Sequence, residues 1–141
     1  VMGDDHTGLY VGEDVARAMI DELVPEADHL TPNYFEWSLI RNAVGKDSHV
    51  AITSNAETSI MHAELLRAGQ VIAGCDAGRQ DHAPNGLGDA FSGIYALGLL
   101  HGDAPSKAFD VAFSRIQQIL QLSGHGPHLT FPAQNQELAA P

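Results

Sequence analysis

Apolar side chains recur at helical spacing in four segments of the chain, which predicts four helices. The segments are residues 13–23, 33–44, 90–100 and 105–122, and Gly45 is predicted to follow the end of the second. The first helix is predicted to bury a stripe formed by Val15, Ala16, Met19, Ile20 and Leu23. The last is predicted to bury Phe109, Val111, Ala112, Phe113, Ile116 and Leu120.

Shorter apolar runs favour strands at residues 27–31 and 49–53. Residues 58–66 fit either a strand or a short helix, and the strand is preferred. Residues 67–70 are typical of a hairpin turn, which pairs 58–66 with a strand at 71–73. The segment 76–84 is predicted to be a polar connection, and 124–141 a surface tail. Because strands alternate with helices, the pattern indicates a single α/β domain. The strands are few for a sheet covered on both faces, so further sheet partners are expected.

Composition narrows the classes of ligand. The 141 residues are 44% hydrophobic and 18% charged, which is typical of a globular domain. The formal net charge of −11 argues against general nucleic-acid binding and against docking on anionic lipid. An anionic ligand would need a metal ion or backbone N–H groups to offset the repulsion.

The expected cellular location is inferred from three sequence features: the cysteine count, the apolar runs and the N-terminus. A single cysteine, Cys75, cannot form an internal disulfide, and no apolar run approaches the roughly 20 residues that cross a bilayer. The N-terminus has no signal-peptide pattern. A cytoplasmic location is therefore expected.

The sharpest candidate site is Gly86-Leu87-Gly88-Asp89, directly before the third predicted helix. Two glycines there let backbone N–H groups converge on an anion, and the helix dipole adds to the attraction. Asp89 would face the same point, where a carboxylate suits a general base acting on an attacking hydroxyl. The alternative is an ordinary glycine turn with Asp89 as the N-cap.

Three weaker candidates lie elsewhere. Asn33 and Glu36, three apart at a helix start, suit Mg²⁺ beside phosphate, although the same spacing is typical of a capping box. Thr53 and Ser54 end a strand, where hydroxyls bind phosphate or merely form a polar turn. Asp4, in a glycine-acid loop, faces a metal or belongs to a solvated terminus.

Together these motifs resemble the pyridoxal kinases of the ribokinase-like superfamily. Val1-Met2-Gly3-Asp4 looks like the end of the family's D-P-V-[ML]-G-D motif, and Thr31-Pro32-Asn33 with Glu36 is similar to T-P-N-x-x-E. Residues 50–54 match V-x-I-T-S, and residues 86–89 match the family's G-[TVL]-G-D anion hole. The resemblance covers residues 1–122 and implies a three-layer αβα sandwich with a mostly parallel sheet. Residues 1–141 would be the C-terminal ATP-binding and catalytic part of one such domain.

The resemblance also implies a reaction. It is the ATP-dependent phosphorylation of the 5′-hydroxymethyl group of pyridoxal. Asp89 would be the catalytic base, and Gly86, Leu87 and Gly88 the anion hole. Thr31, Glu36, Thr53 and Ser54 would bind ATP, and Asp4, Asn33 and Glu36 would hold Mg²⁺. A monovalent cation as a further cofactor, a homodimer and a cytoplasmic location belong to the same expectation.

The chain departs from the family in two places. The family's chains are longer, with an N-terminal half that carries most of the pyridoxal pocket. Family members also have a further helix between the N-x-x-E helix and the V-x-I-T-S strand, where only residues 45–48 lie here. The alternatives are therefore another ribokinase-like kinase, acting on a hydroxymethylpyrimidine or a sugar, and a catalytically inactive fragment.

Overall fold

A computed structural model describes residues 2–53, 60–79, 85–124 and 128–132. The helices are α1 (Glu13–Ala18), α2 (Tyr34–Ile40), α3 (Leu87–Leu100) and α4 (Pro105–Ser123). The strands are β1 (Gly3–Asp4), β2 (Gly8–Leu9), β3 (His29–Leu30), β4 (His49–Thr53), β5 (Ile60–Arg67) and β6 (Gln70–Arg79). Within the described residues, no helix is both long and apolar enough to cross a membrane.

The main sheet has the strand order β3-β4-β5-β6. Strands β3 and β4 are parallel, with His29 opposite His49, whereas β4/β5 and β5/β6 are antiparallel. The N-terminal strands β1 and β2 form a separate antiparallel pair. The α/β class is thus confirmed. In the described part of the chain the sheet is mixed, because the predicted hairpin supplies two of its four strands.

Side chains from β4 and β5 alternate between two cores, which gives the predicted three layers. On one face, Ala51, Ala63 and Leu65 are buried against α3 and α4. On the other, Val50, Ile52 and Leu66 pack with Trp37 of α2 and with Val44. The parallel strands lie between the two helical layers, so their carboxyl ends open between α2 and α3.

The predicted stripe of the first helix is wrong in part. Val15 and Leu23 are 47% and 63% exposed, whereas Ala16 and Val24 are buried. After α1 the chain widens into a π-helical turn at Met19–Leu23 and tightens into a 3-10 turn at Val24–Glu26. The wider turn changes the angular spacing of side chains, so the i, i+4 stripe does not continue from Met19 to Leu23.

Two element boundaries and the burial of one residue also differ from the sequence predictions. Helix α2 ends at Ile40, because Ala43 N donates to Ile40 O and forms a turn well before Gly45. Strand β6 continues to Arg79 instead of giving way to a polar connection at residue 76. In α4, Val111 is 40% exposed, since it lies about 200° around the helix from the buried Phe109 and Phe113.

Candidate active site

The carboxyl ends of the parallel strands β3 and β4 meet at one point. Thr53, the last residue of β4, donates its N–H to Pro32 O at 3.0 Å, and Asn33 forms a parallel bridge with Thr53. Residues 31–33, which follow β3, therefore lie beside the end of β4, as expected for a ligand-binding edge of an α/β sheet. Ser54, the other predicted phosphate ligand, lies outside the described residues.

Asn33 and Glu36 form a capping box at the start of α2. Asn33 Oδ1 accepts from Glu36 N at 2.8 Å, and Glu36 Oε2 accepts from Asn33 N at 3.1 Å. The capping box, which is the alternative to a Mg²⁺ site for this pair, is thus present in the molecule. Glu36 is only 7% exposed, and such a buried carboxylate needs several donors.

The same two side chains hold the N-terminal segment against α2. Glu36 Oε1 accepts from Met2 N and, at 3.3 Å, from Gly3 N, while Asn33 Nδ2 donates to Gly3 O at 2.8 Å. Glu36 therefore receives three backbone N–H groups in all. These contacts bring Asp4, which follows Gly3 directly, into the neighbourhood of the capping box.

Asp4 is engaged with its own loop. Its Oδ1 accepts from His6 N at 3.0 Å and Thr7 N at 2.6 Å, and its Oδ2 accepts from the Tyr10 hydroxyl. The Tyr10 hydrogen bond and then that of Thr7 lower the pKa of Asp4, and the same carboxylate raises the pKa of Tyr10. The Asp4 carboxylate thus closes the turn between β1 and β2.

The glycine turn leads into α3 as predicted. Gly86 is the N-cap with a φ of 92°, a left-handed conformation that favours glycine, and Ala90 N donates to Gly86 O at 2.9 Å. Asp89 is the third residue of the helix, Gly86 is its N-cap, and no side chain among the described residues caps this terminus. The alternative in which Asp89 serves as the N-cap is therefore wrong. Its carboxylate lies exposed in the first turn, beside the N–H groups that a helix start leaves without intrahelical partners.

One contact joins this turn to the strand end. Thr31 Oγ1 lies 2.8 Å from Ser92 Oγ, on the second turn of α3. Thr31, Thr53 and the capping box therefore share one end of the sheet with the glycine turn. Sequence reasoning gave Ser92 no role, although its position four residues after Gly88 is the spacing at which a helical serine bonds back to a carbonyl.

The predicted metal ligands have suitable chemistry for a hydrated Mg²⁺. Asp4, Asn33 and Glu36 offer carboxylate and amide oxygens, which Mg²⁺ prefers. Each oxygen already accepts an N–H or O–H group, and within the described residues no three His, Cys, Asp or Glu side chains cluster as metal ligands. The arrangement fits an ion that keeps its waters and is held through them.

Comparison with known proteins gives sequence relatives of one kind. The chain is 33% identical to a pyridoxine/pyridoxal/pyridoxamine kinase of Bordetella avium, over 85% of this chain and 47% of that protein. It is 24% identical to pyridoxal kinase PdxY of Actinobacillus succinogenes, over 87% of this chain and 50% of that protein. The chain spans about half the length of these relatives. No protein-family model matches it.

Solved structures share the fold. Pyridoxal kinase from Lactobacillus plantarum superimposes with a TM-score of 0.76 at 21% identity, over 92% of this chain and 55% of that one. Pyridoxal kinase from Entamoeba histolytica gives 0.75 at 20% identity, over 92% and 53%. A putative phosphomethylpyrimidine kinase from Bacteroides thetaiotaomicron gives 0.73 at 19% identity, over 92% and 54%. The resemblance to pyridoxal kinases and the ribokinase-like fold class are confirmed.

Proposed function

We propose that this chain, a homologue of pyridoxal kinases over about half of their length, forms the ATP-binding and catalytic part of such a kinase. Residues 1–141 would be the C-terminal part of one ribokinase-like domain. The reaction is the transfer of the γ-phosphoryl group of ATP to the 5′-hydroxymethyl oxygen of pyridoxal.

One observation carries the proposal: the glycine turn and Asp89 lie together at the start of α3. Gly86 is the N-cap with a φ of 92°, and the first turn of a helix has N–H groups without intrahelical acceptors, which suit an anion. A helix N-terminus attracts a negatively charged group. Asp89 is the one acidic residue of this first turn, so a proton acceptor stands beside an anion site in a chain whose net charge is −11.

In the proposed step, Asp89 takes the proton from the acceptor hydroxyl. The hydroxyl oxygen forms a bond to the γ-phosphorus, and the bond from that phosphorus to the β–γ bridging oxygen breaks to release ADP. The N–H groups at residues 86–88 stabilise the charge on the transferring group. Positioning and charge stabilisation supply most of the catalysis in reactions of this type.

The surrounding residues hold the nucleotide end of the site. Asp4, Asn33 and Glu36 would bind hydrated Mg²⁺ through its waters, and the ion neutralises phosphate charge when bound. Thr53 and Ser54, at the end of β4, would contact phosphate oxygens, and Thr31 and Glu36 belong to the same edge. A monovalent cation and a homodimer are further parts of the proposal that come from the resemblance.

A second candidate is phosphorylation of a hydroxymethylpyrimidine, favoured by the likeness to the putative phosphomethylpyrimidine kinase. An acceptor panel at fixed MgATP distinguishes the two. With the full-length protein, kcat/KM is expected to be highest for pyridoxal, compared with a hydroxymethylpyrimidine and a sugar. A higher value for either other acceptor would assign the substrate differently. With residues 1–141 alone, binding of MgADP without transfer to any acceptor would identify a catalytically inactive fragment.

A further inference from the structure

Two hydroxyl groups and one carbonyl group form a continuous chain between the sheet and the glycine turn. Ser92 Oγ lies 2.8 Å from Gly88 O and 2.8 Å from Thr31 Oγ1. A carbonyl oxygen only accepts hydrogen bonds, so Ser92 must donate its one proton to Gly88 O. The Thr31 hydroxyl must then donate to Ser92 Oγ. The direction of both hydrogen bonds is thus fixed by the chemistry of the groups.

The direction of the Thr31–Ser92 hydrogen bond determines where the Thr31 hydroxyl proton points. Phosphate oxygens at neutral pH are acceptors, so a hydroxyl that binds them uses its proton. In this structure the proton of Thr31 is directed to Ser92. Thr31 therefore acts on the nucleotide site through the turn that it holds and not as a donor to phosphate.

The turn needs such support. A Cβ built at Gly88 would have no neighbour within 4 Å, so no side-chain contact at Gly88 itself fixes its backbone, although Leu87 and Ala90 on either side pack against the core. Glycine backbone is also unusually free to change conformation. At Gly88 the hydrogen bonds of its backbone therefore do the positioning, and Gly88 O is the atom that the chain from Thr31 reaches.

A second contact runs parallel to the first. His29 Nδ1 lies 2.9 Å from the hydroxyl of Tyr95, which is 1% exposed. His29 is two residues before Thr31 on the strand side, and Tyr95 is three residues after Ser92 on the helix. Both contacts therefore set α3 against β3, but only the one through Ser92 reaches the glycine turn.

We infer that Thr31 and Ser92 are positioning residues that lock the anion-binding turn of α3 to the end of β3. The inference rests on the proposed function only for its catalytic consequence, since the hydrogen-bond chain itself belongs to the fold. It reassigns Thr31 from a phosphate ligand to a residue that acts through Gly88.

The test is a double-mutant cycle with Thr31→Val and Ser92→Ala, measured in two ways. Amide hydrogen exchange at Ala90 to Ser92 reports on the beginning of the helix, and MgADP affinity reports on the site. Thr31→Val removes one hydrogen bond of the chain and is expected to speed exchange about 5–10-fold, whereas Ser92→Ala removes both and is expected to speed it at least as much. Each is expected to weaken MgADP binding by a similar factor, and the double variant should be no worse than Ser92→Ala alone.

Two further variants serve as controls. Thr31→Ser keeps the donor and is expected to behave like the wild type. Tyr95→Phe removes the parallel contact while leaving Gly88 O bonded, so exchange at Ala90 to Ser92 should stay within about twofold of the wild type.

A direct hydrogen bond from Thr31 to phosphate would give a different pattern of MgADP affinities. If Thr31 donates to phosphate directly, Thr31→Val will weaken MgADP binding while Ser92→Ala leaves it unchanged, and their effects will be independent. That pattern would overturn the inference. If the wild type fails to bind MgADP, the proposed function fails, and hydrogen exchange alone still decides whether the two residues lock the turn.

Discussion

The two glycines of the proposed anion-binding turn differ in what their backbones require. Gly86 has a φ of 92°, where any other L-residue is strained. Gly88 lies inside α3 in ordinary helical conformation, with open space where a side chain would begin. Backbone strain therefore explains the glycine at 86, whereas close approach by a ligand is the proposed reason for the glycine at 88.

Gly88→Ala is therefore expected to separate stability from binding. Alanine favours helix over glycine by up to about 1 kcal/mol, so the free energy of unfolding should stay equal or rise. The added methyl group would occupy the anion site, and MgADP affinity should fall at least tenfold, or about 1.4 kcal/mol. Gly93→Ala is the matched control, because Gly93 lies in the same helix with equally open space. Equal MgADP affinity in both variants would contradict the site.

The buried carboxylate of Glu36 leads to a different prediction. Glu36→Gln replaces one acceptor oxygen with an N–H₂ group that would face a backbone donor, so we expect a loss of about 1–3 kcal/mol in unfolding free energy. Glu22→Gln makes the same change of charge at an exposed position and should stay within about 0.5 kcal/mol of the wild type. If Glu36 acted only on Mg²⁺, Glu36→Gln would raise the Mg²⁺ requirement, and the denaturation curves of both variants would match that of the wild type.

Among the elements, the β5–β6 hairpin carries a charge-dependent contact. His62 Nδ1 lies 2.5 Å from Asp76 Oδ1 on the opposite strand, and its Nε2 lies 3.1 Å from Glu64 Oε1 on its own strand. Hydrogen bonding to Asp76 and then to Glu64 raises the pKa of His62 above its usual 6.5. The imidazolium form thus links the two strands where β6 extends beyond its predicted end.

This contact makes the hairpin's stability depend on pH. Because folding raises the pKa of His62, the stabilisation is complete below the unfolded pKa and is lost as pH rises through the folded value. The unfolding free energy of the wild type should exceed that of His62→Gln most at about pH 5.5, and the difference should shrink towards about pH 8. Equilibrium urea denaturation at several pH values measures it. A constant difference would show that the imidazolium contributes nothing.

Elements that follow from local sequence patterns can be predicted from the sequence, whereas features that depend on contacts between distant residues cannot. Helices α3 and α4 follow from local periodicity and capping glycines, and the structure places them close to the predicted bounds. The extension of β6 follows from pairing across the hairpin, where Asp76 faces His62, and no local pattern at residues 76–79 shows it. The glycine turn and the capping box were predicted as local motifs. The link from Thr31 to Ser92 joins residues 61 apart and required the fold.

At the scale of the whole molecule, α3 leaves large apolar side chains exposed, and the chain spans only part of the length of its relatives. Leu97 and Leu100 of α3 are 52% and 83% exposed, although the apolar composition of that helix predicts burial on more than one side. The chain spans about half the length of its relatives. The alignment with the Bordetella avium protein extends over 148 residues, more than the 141 of this chain, so the relative has residues without a counterpart here.

Removing the carboxylate of Asp89 tests its proposed role as the base of a phosphoryl transfer. In the full-length protein, transfer of labelled γ-phosphate from ATP to pyridoxal is measured for the wild type and for Asp89→Asn. Loss of a general base is expected to lower kcat by about 10²–10⁴-fold, while MgADP affinity and unfolding free energy stay unchanged. Near-normal turnover by Asp89→Asn would show that Asp89 is not the base.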